Sequence, residues 1–391
     1  MVREYERIRA VIMRGGTSKA VFLLENELPR DPALRDRVVL AIFGSPDPRQ
    51  IDGLGGADPL TSRVAIISRS RRPEADVDYT FGYVCIDRPY VDYQSNCGNI
   101  LQAVGPFAVD EGLVPAAEPV TLVRIFNTNT GALVEAAVPV RDGKARTEGD
   151  FVLDGVPGSG ARIELNFLNA SGRKTGKLLP TGNVVDQIQL AGGRRVRASL
   201  VDAANPVVFV QAAEIGLTGK ELPQDAAATS WILELMEEIR VKGALLMGMA
   251  KSETEVSPAL PKVAIVAPPQ DYHTLTGRPI KASECDLLAR TKALGVMHKA
   301  YAVTGGICLG AAAMIPGTVV NEIAPPAAVK TGQIRVGHPS GVTHFSLEIR
   351  SNPQGDYELI RAAVGGTARR IMDGYVYVPR RVFQPGSISS V

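Results

Sequence analysis

Two stretches decide how this chain folds: GNILQAVGPFAV at residues 98–109 and GGICLGAAAMI at residues 305–315. Each is apolar around nearly the whole circumference of a helix, so each must be surrounded by protein and not lie on a surface. They start about half a chain apart, and strand-like runs precede and follow both. Such runs fall at 8–13, 20–24, 64–68, 77–86, 121–126, 161–168, 207–211, 262–267 and 343–349. In the run from Val77, the residues Val77, Tyr79, Phe81, Tyr83 and Cys85 share one face of a strand, and Asp78 and Thr80 share the other. Further helices are expected at 32–43, 230–249 and 283–294. The fold class that follows is α+β: two pseudo-symmetric domains, each a curved, mostly antiparallel sheet wrapped around one central helix. The polar, glycine-rich stretch 170–183 marks the expected boundary, giving domains 1–183 and 184–391, with room for a last strand to return to the first.

Composition narrows the function. The 391 residues are 45% hydrophobic and 21% charged, and 43 Lys and Arg against 41 Asp and Glu leave a net charge of +2. Disorder and nucleic-acid binding are disfavoured, because the dense basic runs, 69–72 and 194–197, read as short solvated loops. The uncharged stretch 301–321 is long enough for a membrane span, but Gly305, Gly306, Gly310, Pro316 and Gly317 make it a buried helix with flanking turns. Arg3, Glu4, Glu6 and Arg7 leave no apolar core for a secretory signal, so the expected location is cytoplasmic. The cysteines at 85, 97, 285 and 308 lack metal or redox spacing and are expected to be thiols. An Asn169-Ala170-Ser171 sequon has no consequence without secretion.

The chemistry-bearing residues gather at glycine-rich turns. Met13-Arg14-Gly15-Gly16-Thr17-Ser18-Lys19 follows a strand and reads either as an anion cradle of backbone N–H groups or as an ordinary hairpin. It lacks the spacing of a Walker loop. In the segment 51–63, Gly53 and Gly55 are followed by a strand, which excludes a dinucleotide site. Ser62 and Arg63 there suit a carboxylate. Within Ser95-Asn96-Cys97-Gly98-Asn99, Cys97 stands at a helix amino end, where the dipole and free N–H groups favour thiolate, so it is the chemical candidate. The counterpart in the second half is Val303-Thr304-Gly305-Gly306, preceded by His298. Two such helix ends facing each other across a cleft would hold a substrate with several carboxylates. His338-Pro339-Ser340-Gly341 adds donors, although His298 and His338 read equally well as structural histidines. The expected binding set is Thr17, Ser18, Ser62, Asn96, Gly98, Asn99, His298, Thr304, Gly305, Gly306, His338 and Ser340, with Cys97, Arg63 and Lys19 as catalytic candidates. No metal or cofactor motif is found.

The motifs MRGGTSKA (13–20), GSPDPRQIDGLGGADPLTS (44–62), VDYTFGYVCIDRPYVDYQSNCGN (77–99), PTGN (180–183), AAMIPGT (312–318) and GHPSG (337–341) together resemble the PrpF family. That family includes 2-methylaconitate and 3-methylitaconate isomerases and 4-oxalomesaconate tautomerases. The resemblance implies a fold like diaminopimelate epimerase and a cofactor-free 1,3-allylic proton shift in an unsaturated polycarboxylate. The implied partners are that small molecule and at most a second copy of the chain, with neither nucleic acid nor membrane. It also implies a base lysine in a Thr-Ser-Lys motif, working with the cysteine of Asn-Cys-Gly-Asn. Here Thr61-Ser62 is followed by Arg63, a poor base at neutral pH. Three readings stay open. Cys97 carries the proton while Arg63 holds its charge; Lys19 or Lys299 replaces the base; or the protein binds a polycarboxylate with altered or lost catalysis. A two-thiol epimerase is disfavoured, since Cys308 lies about one helical turn inside the second helix.

Overall fold

The structure, a computed structural model, describes residues 4–384 apart from positions 95, 169, 229, 294 and 353–355. The sequon residue Asn169, and Ser95 of the cysteine motif, therefore lie outside the described residues. The chain divides into two compact units. The first holds the described residues up to Phe151, then Gly158–Glu164 and the chain from Gly366 onward; the second holds Val152–Pro157 and Leu165–Gly365.

In the first unit, strands Ala368–Pro379, Tyr5–Gly15, Ser18–Leu24, Arg63–Arg69, Val77–Val84, Val120–Asn127 and Ala132–Arg141 are hydrogen-bonded in that order. Successive pairs run antiparallel, antiparallel, parallel, antiparallel, parallel and antiparallel. Helix Gly98–Asp110 packs on one face of this sheet and touches strands from both ends of the order, Ala368–Pro379 and Ala132–Arg141, so the sheet curves around it. All its residues from Gly98 to Val109 are buried. Helix Pro32–Phe43 covers the other face. Asp31 caps it by accepting the Leu34 N–H at 2.8 Å, and Gly44 ends it in the left-handed conformation. Its Val38, Val39 and Ile42 pack on Ile8, Ala10, Val21, Leu23, Val64 and Ile66.

The second unit repeats this plan. Strands Asp186–Gln189, Arg195–Ala203, Asn205–Gln211, Lys262–Ala267, Leu287–Ala293, Gln333–His338 and Gly341–Ser351 follow the same series of antiparallel and parallel pairings. Helix Val303–Met314 is its buried rod. Glycine allows the close fit: a Cβ on Gly306 would lie 2.0 Å from Phe345, and one on Gly310 would lie 2.5 Å from Leu347. Helix Ser230–Leu246 covers the opposite face through Ile232, Met236 and Ile239.

Two expectations need correction. The division between units falls between residues 151 and 165, not at 183. The stretch 170–183 is an internal loop of the second unit, tied down by Asp202. The Asp202 carboxylate accepts from the Lys174 and Thr175 N–H groups and the Thr175 hydroxyl, and its backbone takes up Gly172 and Leu178. A polar, glycine-rich composition marks a loop but does not say whether the loop joins two units. The expected helix at 283–294 is instead strand Leu287–Ala293, buried between Lys262–Ala267 and Gln333–His338. Leu287, Leu288 and Ala289 are all buried, and an apolar run buried on both faces has no period to separate strand from helix. Its last position, Leu294, lies outside the described residues.

Candidate active site

In the first unit the residues that share the central-helix face can be read from alternation and register. Strand pairing sets Gly15 against Ser18, Met13 against Ala20 and Val11 against Phe22. Phe22 stacks on Phe107 of the central helix, with ring centroids 5.3 Å apart. Ser18 therefore looks toward the helix, and Arg14 and Lys19, paired with each other, lie on the reverse face. Arg63 opens its strand one position before Val64, whose side chain is in the outer cluster, so Arg63 also faces the helix.

These constraints bring Arg63 to Cys97. The guanidinium donates through Nη1 to Cys97 Sγ at 2.5 Å and to Ser18 Oγ at 3.1 Å, and through Nε to the Pro59 carbonyl at 2.8 Å. It also lies over the Phe81 ring at 5.9 Å. Cys97 is the N-cap of the central helix, its sulfur accepting the Ile100 N–H at 3.4 Å. The sulfur thus sits between an arginine and the positive end of a helix, an arrangement that suits negative charge. Tyr79, whose hydroxyl donates to the Cys97 carbonyl at 3.4 Å, is held protonated because burial pushes its phenol well above the ordinary range.

The glycine-rich turn at 15–18 resolves as a hairpin, and its glycines serve the site. Gly16 has φ of +52°, and a Cβ there would lie 2.4 Å from Asn99 Oδ1, while one on Gly15 would lie 2.5 Å from the Asn99 carbonyl. Without side chains the turn abuts the helix end, where Asn99 Nδ2 donates to Thr17 Oγ1 at 3.1 Å. Asn96, the residue before the cap, accepts from Asn127 Nδ2 at 2.7 Å. The fully buried Asn127 was not singled out from sequence; its place at a strand end gave no motif.

The second unit builds a similar helix end with the residue types exchanged. Its hairpin carries Asn205, whose Nδ2 donates to Thr304 Oγ1 on the helix at 3.2 Å. Thr and Asn sit on hairpin and helix in the first unit, and Asn and Thr in the second. Asn205 was missed too, although Ala204 with φ of +58° marks a tight turn. The cap position differs in kind: Ala302 offers no side-chain acceptor where the first unit has Cys97. Lys262 opens its strand as Arg63 does in the first unit, and alternation with the outer-cluster residues Val263 and Ile265 places it on the central-helix face. A Cβ on Gly305 would meet Tyr301 at an ordinary 3.5 Å, whereas the space beside Gly306 is filled by Phe345.

Other expected site residues have different work. Ser62 is fully buried, donates to the Val84 carbonyl at 2.7 Å and accepts from Gln50 Nε2 at 2.7 Å, so it anchors the loop leading to Arg63. His338 is buried. Its Nδ1 accepts the Ser340 N–H at 3.2 Å and its Nε2 pairs with Thr343 Oγ1 at 2.9 Å, an arrangement that fits a neutral ring protonated at Nε2. Burial, with Arg290 next in effect, pushes it down to about 3. His298 Nδ1 accepts the Ala300 N–H at 2.9 Å, and Ser340 Oγ donates to the Lys299 carbonyl at 2.6 Å. Both histidines are thus engaged with turn backbone. All four cysteines are buried thiols. Cys308 donates to the Val201 carbonyl at 3.3 Å, and burial raises it, as burial raises Cys85, and Cys285 to about 11. Among the described residues no group of three His, Cys, Asp or Glu is placed to hold a metal ion, and no helix is long and apolar enough to cross a membrane.

The fold, two α+β units of helix-wrapping sheets, is epimerase-like. A hydroxyproline epimerase from Agrobacterium vitis shares it at a TM-score of 0.56 and 13% identity, covering 95% of this chain and 93% of that one. The chain belongs to the PrpF family: the model described as PrpF protein matches residues 5–379. A 3-methylitaconate isomerase of Eubacterium barkeri is 49% identical over 378 residues, 96% of this chain and 98% of that protein. A 2-methyl-aconitate isomerase of Shewanella oneidensis is 40% identical over 391 residues, 96% of this chain and 97% of that protein. A crystal structure of methylitaconate-delta-isomerase superposes with a TM-score of 0.84 at 47% identity, covering 99% of this chain and all of that one. The protein is an isomerase.

Proposed function

We propose that the protein moves a carbon–carbon double bond within an unsaturated di- or tricarboxylate by a 1,3-proton transfer, with Cys97 as the proton carrier. The candidate substrates are of the methylitaconate, methylaconitate, aconitate or 4-oxalomesaconate type. The observation that carries the reading is the Arg63 Nη1 contact on Cys97 Sγ at the amino end of a buried helix. Arginine remains charged at any working pH, so it holds a thiolate without competing for its proton. The relatives named above, which act on methylitaconate and methylaconitate, support the substrate class.

In this reading the thiolate takes the proton from the carbon γ to a carboxylate or ketone. The C–H electron pair enters the conjugated system, the double bond shifts, and charge gathers on an oxygen as a dienolate. The new S–H then gives its proton to the α-carbon and the thiolate is restored, so atoms and electrons balance without a cofactor. Thr17 and the first N–H groups of the helix, at Gly98 and Asn99, are the donors for the oxygen that gains charge. Ser18 keeps Arg63 directed at the sulfur.

The test is proton NMR in deuterium oxide across unsaturated di- and tricarboxylates. Wild type is expected to exchange and isomerise at least one, Cys97→Ala to do neither, and Arg63→Lys to keep activity. Full exchange in Cys97→Ala overturns the reading. Binding of these acids by wild type with no exchange on any of them would instead assign a polycarboxylate-binding protein with lost catalysis, which the arginine at position 63 otherwise suggests.

A further inference from the structure

The basic run 69–72 does more than coat a loop. Arg69 and Arg71 line a cavity of about 710 Å³ in the first unit together with Arg30 and Arg35. Leu24, Leu28, Ile67 and Leu113 form its apolar lining, with Ser68 adding a hydroxyl and Glu25 the one acidic side chain. Four cations against Glu25 in the lining and Asp36 beside Arg35 leave a local charge of +2, equal to that of the whole chain, so the protein's net positive charge is gathered at this place.

Two of the four guanidinium groups are fixed before any ligand arrives. Arg69 Nη2 donates to the Gly112 carbonyl at 2.6 Å. Arg35 lies over the Tyr93 ring at 5.3 Å, near Asp36 at 3.9 Å, and its Nε is buried without a hydrogen-bond partner. Arg30 and Arg71 are exposed and make no ion pair or hydrogen bond among the described residues. Like charges lining one cavity repel, and Arg30 and Arg71 have no protein partner that offsets this among the described residues. Arginine forks match phosphate oxygens in pairs, and the volume is that of a small-molecule site.

We infer that this cavity is a second ligand site, separate from Cys97, for a small molecule carrying a diphosphate. Arg69 and Arg35 are the fixed donors, and Arg30 and Arg71 close on the anion. Strand Arg63–Arg69 spans the two sites, placing them about 20 Å apart at 3.3 Å per residue.

Calorimetric titration at constant ionic strength tests this, with inorganic pyrophosphate and ADP as probes. Each carries the diphosphate, and the tighter of the two names the source. Wild type is expected to bind at one site, and Arg30→Ala/Arg71→Ala to weaken binding at least tenfold with an unchanged circular dichroism spectrum. A control pair of exposed arginines elsewhere, Arg141→Ala/Arg350→Ala, is expected to change it less than twofold. The inference is overturned by absence of saturable binding, or by equal weakening in both double variants, which would make the effect general electrostatics. It is also overturned if Arg63→Ala abolishes binding while the cavity variant retains it, since that places the anion beside Cys97.

Discussion

His338 sits in a turn rich in donors, and its protonation state decides whether that turn can carry a proton. Its ring is buried and already accepts the Ser340 N–H, so protonation in the folded state would both bury a charge and cost a hydrogen bond. With a folded value of about 3 against an ordinary value near 6.5, the unfolded chain binds one more proton than the folded one between these limits. Stability from this residue is therefore complete above pH 6.5 and falls as pH drops toward 3. By pH 5 the loss is about 2 kcal/mol, at roughly 1.4 kcal/mol per unit below 6.5. The chain has four histidines, so ring NMR resonances can be followed individually. One, assigned by its loss in His338→Asn, is expected to stay in the neutral Nε2–H form from pH 8 to 5. The variant keeps an acceptor for Ser340 and should lose about 2 kcal/mol less than wild type between pH 7 and 5 in denaturant unfolding. A His338 resonance titrating with a midpoint above 5 would refute the argument and make the ring a candidate proton carrier.

Gly16→Ala places a methyl 2.4 Å from Asn99 Oδ1 at a residue with φ of +52°. The left-handed conformation alone costs about 1–2 kcal/mol, and steady-state assays are expected to show turnover reduced at least tenfold with the fold retained. Lys19→Met is expected to keep turnover within twofold, because Lys19 lies on the reverse face of its strand from Ser18; loss of turnover with substrate binding retained would make Lys19 the missing base.

What the sequence made legible follows from burial. The two buried helices could be located because helices apolar on all sides have one physical explanation, and Cys97 could be singled out because a thiol before Gly98-Asn99 stands at a helix end. Arg63 could be named beside Cys97 as one of three readings, but the contact itself could not be derived, since it joins a strand start to a helix cap 34 residues apart in sequence. Asn205, Asn127 and Lys262 escaped notice for the same reason: each is an ordinary residue at a strand end until the topology of its unit is known. Ser62 stood out because a hydroxyl beside an arginine looks available, and its burial between Gln50 and the Val84 carbonyl left no mark in the sequence. The strand Leu287–Ala293 was hidden by burial on both sides, and the cavity of four arginines by the distance in sequence between 30 and 71.

A single proton carrier, the role proposed for Cys97, has a stereochemical consequence. An epimerase that inverts a centre needs one carrier on each side of the carbon. With a lone carrier at Cys97, the hydrogen leaves and returns over the same face of the planar intermediate, a suprafacial course. A deuterium label on the γ-carbon should then reappear on the α-carbon of the product in the fraction of turnovers in which the S–D bond hands back its isotope before solvent replaces it.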